Sequence, residues 1–245
     1  MNVFEEIGKN AADVARFGKL DSSTLDQMIE IEGVEHLDTA YKEGKGVIVL
    51  TGHIGNFELL AAYLSLKGYK FSVIGRELYD ARLNRLLIEN RESVGLENIS
   101  SSQDVRRAIK ALRAGRLLGV LADQDSTRVK GIFVDFFGRA ARTPVGPAFL
   151  HLKIGSPIIP VAILREKSER YRILVKPPLK FKSRGEKNRD VRELTQKYTE
   201  ILEQIIREHP SQWLWMHERW KSRPDSSGHK SQQLKKLARL GSISY

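Results

Sequence analysis

Short, wholly apolar runs separated by amphipathic stretches set the rhythm of this chain. Gly46-Val-Ile-Val-Leu50, Lys70-Phe-Ser-Val-Ile74, Leu117-Leu-Gly-Val-Leu121, Pro157 to Leu164 and Tyr171 to Val175 read as strands. The first and third runs show no polar alternation, as expected of strands covered on both faces. Phe57 to Leu66, Asp80 to Val94, Gln103 to Arg113 and Val191 to Glu208 read as helices, with Leu83, Leu86 and Leu87 at helical spacing in the second. Gly95 follows that helix as a C-terminal stop. Residues 1 to 45 read as helical throughout, with Asp21 as an N-cap ahead of Leu25. A hairpin is expected at Gly131 to Phe137, inside the long loop 122–142. Thr143 then reads as the N-cap, and Pro144 as the first residue, of a helix running to about Lys153.

Alternating strands and helices at this spacing predict an α/β fold: a single domain with a mostly parallel central sheet flanked by helices. The domain is expected over residues 1–224, with a basic tail at 225–245. Crossovers in such sheets are right-handed, so the loops that follow the strands gather at one rim, where open α/β sheets bind ligands. Gly52-His53 and Asp123-Gln124 both follow strands directly, which suits them to one rim.

Charge changes the picture more than composition does. The 245 residues carry 41 Lys+Arg against 30 Asp+Glu, a net charge of +11. Such a surface attracts anions: nucleic acid, anionic lipid, phosphorylated substrates or an acidic protein. The chain has no cysteine, which removes disulfides, iron–sulfur clusters and thiolate zinc sites. Apolar runs fall short of the roughly 18 residues a membrane span needs, and the first residues lack the pattern of a signal peptide.

The candidate chemistry sits in Thr51-Gly-His-Ile-Gly-Asn-Phe-Glu58. On one continuous helix, His53 and Glu58 would point about 140° apart. Gly52, Gly55 and the cap residue Asn56 break the chain between them, so His53 is expected in the turn and Glu58 at the helix start, within hydrogen-bond reach. An imidazole oriented by a carboxylate is the arrangement a general base needs. G-x-S-x-G, P-loop and H-E-x-x-H patterns are all missing from the sequence. Direct transfer to a hydroxyl is therefore the simplest scheme. Trp213, Trp215 and Trp220 read as core or interfacial anchors, and His217 as a packing histidine.

Thr51–Glu58 resembles the H-x4-D/E motif of the lysophospholipid acyltransferase superfamily, and its glutamate form resembles the bacterial lipid A late acyltransferases, the lauroyl/myristoyl transferases. Further blocks match in order: Ile74-Gly-Arg76; Ala122-Asp-Gln124 with Phe136-Phe-Gly-Arg139 and Thr143-Pro-Val-Gly146; Gly155-Ser-Pro-Ile-Ile-Pro160; and Pro210-Ser-Gln-Trp-Leu-Trp-Met-His-Glu-Arg-Trp220. The resemblance runs from about Val3 to Pro224. It implies a glycerolipid-acyltransferase-like fold. The implied reaction moves a fatty acyl chain from a thioester, on acyl carrier protein or CoA, to a hydroxyl of a lipid A precursor or related glycolipid. It makes His53 the general base and Glu58 its orienting partner. Arg76 and Arg139 would bind phosphate or the donor's pantetheine end, and Asp123 would hold an arginine or an acceptor group. Gln124 and Thr143 join the substrate-binding set. No cofactor, metal or nucleic acid is expected. The implied location is the cytoplasmic face of the inner membrane; the hydrophobic N-terminal helix common in the family is not seen here, so the expectation is either peripheral attachment or an anchor that lies outside this sequence. The rivals are a glycerophospholipid or other glycolipid acyltransferase and, outside enzymes, a basic module that binds membrane or nucleic acid.

Overall fold

The computed structural model describes residues 3–14, 16, 22–75, 78–100, 105–166 and 170–224. Arg76, the Asp21 cap, the start expected for the helix at Gln103 and the tail 225–245 lie outside them. Nine strands and eight α-helices follow in the order α1 (Val3–Val14), α2 (Ser22–Met28), β1 (Ile29–Glu32), α3 (Val34–Lys42), β2 (Val47–Thr51), α4 (Phe57–Leu66), β3 (Phe71–Gly75), α5 (Ala81–Ser93), β4 (Glu97–Ser100), α6 (Val105–Arg113), β5 (Leu117–Leu121), β6 (Gly131–Phe136), β7 (Arg139–Pro144), α7 (Gly146–Ile154), β8 (Ile158–Arg165), β9 (Tyr171–Val175) and α8 (Lys187–Glu208), with a 3-10 turn at Pro210–Gln212, all among the described residues.

The main sheet has seven strands in the order β1-β9-β8-β2-β5-β3-β4. All its neighbours are parallel except β8 and β9, which are antiparallel. The expected fold class is the one observed. The core divides across the sheet. Val47, Val49, Ile159, Val161 and Ile163 pack with α3 and α4 on one face. Ile48, Leu50, Ile158, Ala162 and Leu164 pack with α6, α7 and α8 on the other. Both halves of each central strand are buried, so these runs read as continuously apolar. Burying each such side chain contributes about 1.5–3 kcal/mol.

Two expectations change, and one strand is added. Residues 1 to 45 are not helical throughout: Ile29-Glu-Ile-Glu32 is an edge strand paired with Tyr171 to Leu174. Its period-two alternation is the signature of a half-exposed strand, here embedded between two helices. Glu97–Ser100 forms the opposite edge strand, too polar to announce itself. The hairpin forms as expected, but Thr143 and Pro144 do not start a helix. Both belong to β7, with Thr143 opposite Ile132 and Pro144 opposite Gly131. The helix begins at Gly146, with Pro147 supplying the first-turn proline. Proline at a strand end loses no interior ladder bond, so the pair fits either reading and pairing with β6 decides.

Candidate active site

Register alone brings two chemical groups together. β2 and β5 are adjacent and parallel, with Thr51 opposite Leu121. The Ala122 N–H donates to Thr51 O at 3.1 Å, which carries the register one step past the strands. His53 and Asp123 each stand two residues beyond their strand, so they meet at the C-terminal rim. His53 Nδ1 lies 2.9 Å from Asp123 Oδ1, and the His53 backbone N–H donates to Asp123 Oδ2 at 2.9 Å. The Trp213 indole N–H donates to the same Oδ2 at 2.8 Å. Gly52 permits this approach: a Cβ there would stand 3.0 Å from the Asp123 carboxyl carbon.

Asp123 is completely buried. Burial alone would raise its pKa, but the charge and hydrogen bonds of His53, with the Trp213 bond, outweigh it and hold the carboxyl at about 2. An ionised carboxylate only accepts hydrogen bonds. The Nδ1 of His53 must therefore carry a proton, leaving Nε2 as the acceptor when the ring is neutral. The ring is about one-fifth exposed, and among the described residues Nε2 has no hydrogen-bond partner. Phe57 packs edge-on against the ring at 5.0 Å between centroids, fixing its tilt.

Glu58 does not orient His53, contrary to the sequence expectation. Its two carboxylate oxygens accept from Arg91 of α5, Nε at 3.0 Å and Nη2 at 2.6 Å. Arg91 also donates to Asn98 Oδ1. The first turn of α4 thus aims Glu58 across to α5, while the strand register delivers Asp123. Asp123 in turn holds a histidine and a tryptophan, not an arginine or acceptor group. Thr143 is buried, and its hydroxyl accepts from Arg219 Nη2 at 2.6 Å, so it supports the structure behind the rim. Arg139 is exposed, its guanidinium 5.0 Å from the centre of the Trp220 ring. Gln124 is half-buried beside Asp123. His217 accepts the Asp125 N–H at 3.0 Å on Nε2, a packing role as expected, and burial pushes its pKa down. Sequence reasoning gave Trp213 no place at the site. The signal was its position in the closing Trp-Leu-Trp-Met-His-Glu-Arg-Trp segment, which returns to pair Ile54 with Trp213 and Leu214 N with His53 O.

The turn under His53 is braced from below. Gly55 has φ +56°, and a Cβ there would lie 1.9 Å from the carbonyl oxygen of Ile163. Gly55→Ala is therefore expected to cost more than about 1 kcal/mol through strain and collision, visible as a lower urea midpoint. Asn56 caps α4 through its side chain, accepting from Leu59 N at 3.1 Å.

One small cavity lies beside the site and a larger one lies away from it. A slot of about 30 Å³ lies between α4 and the sheet, lined by Val49, Thr51, Phe57, Leu60, Val73 and Leu121 among others, with Glu58 and Arg91 at one wall. It holds about one water volume, so it is a slot beside the site and not an open tunnel for a long chain. A larger cavity of about 400 Å³, lined by Leu152, Lys153, Lys187 and Val191 among others, sits where α7 ends and α8 begins, toward the opposite rim.

Comparisons with known proteins find relatives by sequence and a family model. A phosphatidylinositol mannoside acyltransferase of Mycobacterium tuberculosis is 29% identical over 222 residues, covering 88% of this chain and 68% of that protein. A lipid A biosynthesis palmitoleoyltransferase of Escherichia coli is 23% identical over 232 residues, covering 90% of this chain and 71% of that one. Among solved structures, a 1-acyl-sn-glycerophosphate acyltransferase of Thermotoga maritima matches with a TM-score of 0.42 at 17% identity, over 78% of each chain. The family model described as bacterial lipid A biosynthesis acyltransferase matches residues 1–222. The chain is an acyltransferase and belongs to the bacterial lipid A biosynthesis acyltransferase family.

Proposed function

We propose that this protein moves a fatty acyl chain from a thioester, carried by acyl carrier protein or CoA, to a hydroxyl of a lipid A precursor or related glycolipid, with His53 as general base and Asp123 as its orienting partner. The carrying observation is the 2.9 Å contact between His53 Nδ1 and Asp123 Oδ1, which leaves Nε2 to accept a proton at the sheet's rim. The acceptor hydroxyl gives its proton to Nε2 while its oxygen attacks the thioester carbonyl. The tetrahedral intermediate collapses, the carbon–sulfur bond breaks, and the imidazolium returns its proton to the departing thiolate. Alcohol and thioester become ester and thiol, with no acyl group on the enzyme. Buried Asp123 stabilises the imidazolium that forms between the two proton transfers. The N-terminus of α4, whose cap Asn56 stands three residues past His53, favours negative charge nearby.

Arg139 and Arg76 remain in this proposal as contacts for phosphate or pantetheine, and Gln124 as a polar contact at the rim. Glu58 serves to fix α5 against α4. The excess of positive charge suits an anionic acceptor and an acidic carrier. Among the described residues no helix is long and apolar enough to cross a membrane. We place the protein peripherally at the cytoplasmic face of the inner membrane, where a lipid acceptor is presented. Two acceptors are named among the relatives, and the mannosylated inositol lipid belongs to the one with higher identity. The test incubates purified protein with acyl-CoA or acyl carrier protein donors and, separately, a lipid A precursor, a phosphatidylinositol mannoside and lysophosphatidic acid. Mass spectrometry then reads the acylated product. Transfer to either glycolipid supports the reading and names the acceptor; transfer only to lysophosphatidic acid contradicts it.

A further inference from the structure

The distribution of exposed apolar residues is lopsided. Leu78, Tyr79, Leu83 and Leu86 are each between 44% and 108% exposed, and Trp215 and Met216 are 44% and 55% exposed. Leu78 and Tyr79 follow β3, and Leu83 and Leu86 occupy the first half of α5. Trp215 and Met216 follow directly on Leu214, whose N–H bonds to His53 O. All six therefore belong to the rim that carries His53 and Asp123. Among the described residues, the other large exposed apolar side chains, Phe4, Val105 and Val129, begin α1, begin α6 after β4, and lie in the loop after β5. Phe4 shares a helix with Asn10, which donates to Gly55 O at 2.9 Å, and so joins the same rim.

α5 reaches past the sheet. Arg91, in its last turn, places Nη1 where a Cβ on Gly75 would be 2.4 Å away, level with the end of β3. Leu83 and Leu86 stand one to two turns earlier, about 7–12 Å further along the axis. The first half of the helix thus overhangs the rim. Arg82, Leu83 and Leu86 share one face of α5 by i, i+3 and i+4 spacing, with Arg85 at its edge. Arg82 and Arg85 are exposed, as the leucines are. Apolar side chains beside arginines are the composition that seats a helix at a lipid headgroup boundary.

We propose that this rim docks against an anionic lipid bilayer, with the overhanging half of α5 on one side of His53 and Trp215-Met216 on the other entering the interface, so that the catalytic imidazole faces the membrane. The proposal rests on the acyl-transfer reading for its purpose, since a glycolipid acceptor would then enter from the lipid side. Its evidence is separate: an apolar ring on one rim, with positive charge set among it.

Flotation tests it without using the catalytic step. Wild-type protein is mixed with vesicles of phosphatidylcholine alone, or of phosphatidylcholine with phosphatidylglycerol. It is expected to float with the anionic vesicles and to do so less as salt rises. Leu83→Ser with Leu86→Ser lowers the partition coefficient about 10-fold or more per leucine, with an unchanged circular dichroism spectrum. Met216→Ser lowers it further, Arg85→Gln reduces the preference for anionic vesicles, and His53→Ala protein floats like wild type. Flotation of the double-serine variant equal to wild type overturns the proposal. So does a wild-type dimer that the same variant splits without changing flotation, or a variant that floats normally but loses transfer only from acyl carrier protein. Flotation as expected with no acyl transfer would keep the docking surface and remove the reading of the active site, so the two failures are distinguishable.

Discussion

Asp123→Asn is expected to lower kcat by about 10²–10⁴-fold, the range set by loss of a positioned general base, while Glu58→Gln leaves kcat within about 10-fold of wild type. The difference follows from who holds the imidazole. Asp123 accepts from Nδ1, from the His53 main chain and from Trp213. Asparagine offers one acceptor and one donor in place of two acceptors. Its amide group favours the other ring tautomer, which puts the proton on Nε2 where the hydroxyl must deliver it. Glu58→Gln instead weakens the paired contacts with Arg91 at 3.0 and 2.6 Å. That loss appears as about 1–3 kcal/mol of stability, read from urea unfolding. Steady-state kinetics of both variants give the comparison. Stability carries a matching signature in pH. The folded pKa of Asp123, about 2, lies below the value near 3.9 of an unfolded aspartate. Its contribution is complete above about pH 4 and is lost as pH falls toward 2, so wild type and Asp123→Asn should converge in stability over that window.

The second large effect is on the fold beneath the site. Arg165→Met is expected to destabilise by about 3–5 kcal/mol, the cost of leaving buried carboxylates without their cation. Arg165 ends β8 with its side chain 1% exposed. It donates to Glu6 Oε2 at 3.0 Å, Asn10 Oδ1 at 3.0 Å and Asp13 Oδ2 at 2.8 Å, all on α1. Asp13 also accepts from the Tyr171 hydroxyl and from Asn56 Nδ2 at 3.0 Å. The cluster clamps α1 to the turn that carries His53, because Asn10 donates to Gly55 O and Asn56 caps α4. Loss of Arg165 should therefore lower both the urea midpoint and kcat. Removing Asp13 as well, in Arg165→Met with Asp13→Asn, should restore part of the stability, and the double-mutant cycle measures the coupling. Additive losses would mean the arginine does not depend on Asp13.

The central strands and the rim were legible in the sequence because burial on both faces erases polar alternation. β2, β5 and β8 announce themselves for that reason, and the rule that loops gather at strand ends placed Gly52-His53 and Asp123-Gln124 together. The edge strands were not legible. Ile29–Glu32 is short and lies between helical stretches, and Glu97–Ser100 has one fully buried side chain, Ile99. Thr143-Pro144 carried a helix-start signal that pairing with β6 overrode. The histidine was found by its place after a strand, but its partner was chosen by closeness in sequence. Closeness pointed to Glu58, five residues on; strand register pointed to Asp123, seventy residues on. Adjacency of β2 and β5 in the sheet decides this, and adjacency is a property of topology that local pattern does not encode. Arg91, which holds Glu58, had no local signal, since an arginine on an amphipathic helix looks like surface charge until its carboxylate is known; Arg219 stood in the closing Trp-Leu-Trp-Met-His-Glu-Arg-Trp segment, but nothing local named Thr143 as its partner.

His53→Ala measured beside wild type in single turnover bears most directly on the account. A saturating acyl thioester is mixed with the glycolipid acceptor, and ester product and free thiol are counted together by mass spectrometry. The account predicts one thiol released per ester formed by wild type, and no product above the uncatalysed background from His53→Ala, with the unfolding midpoint preserved. Transfer by His53→Ala at the wild-type rate would contradict it.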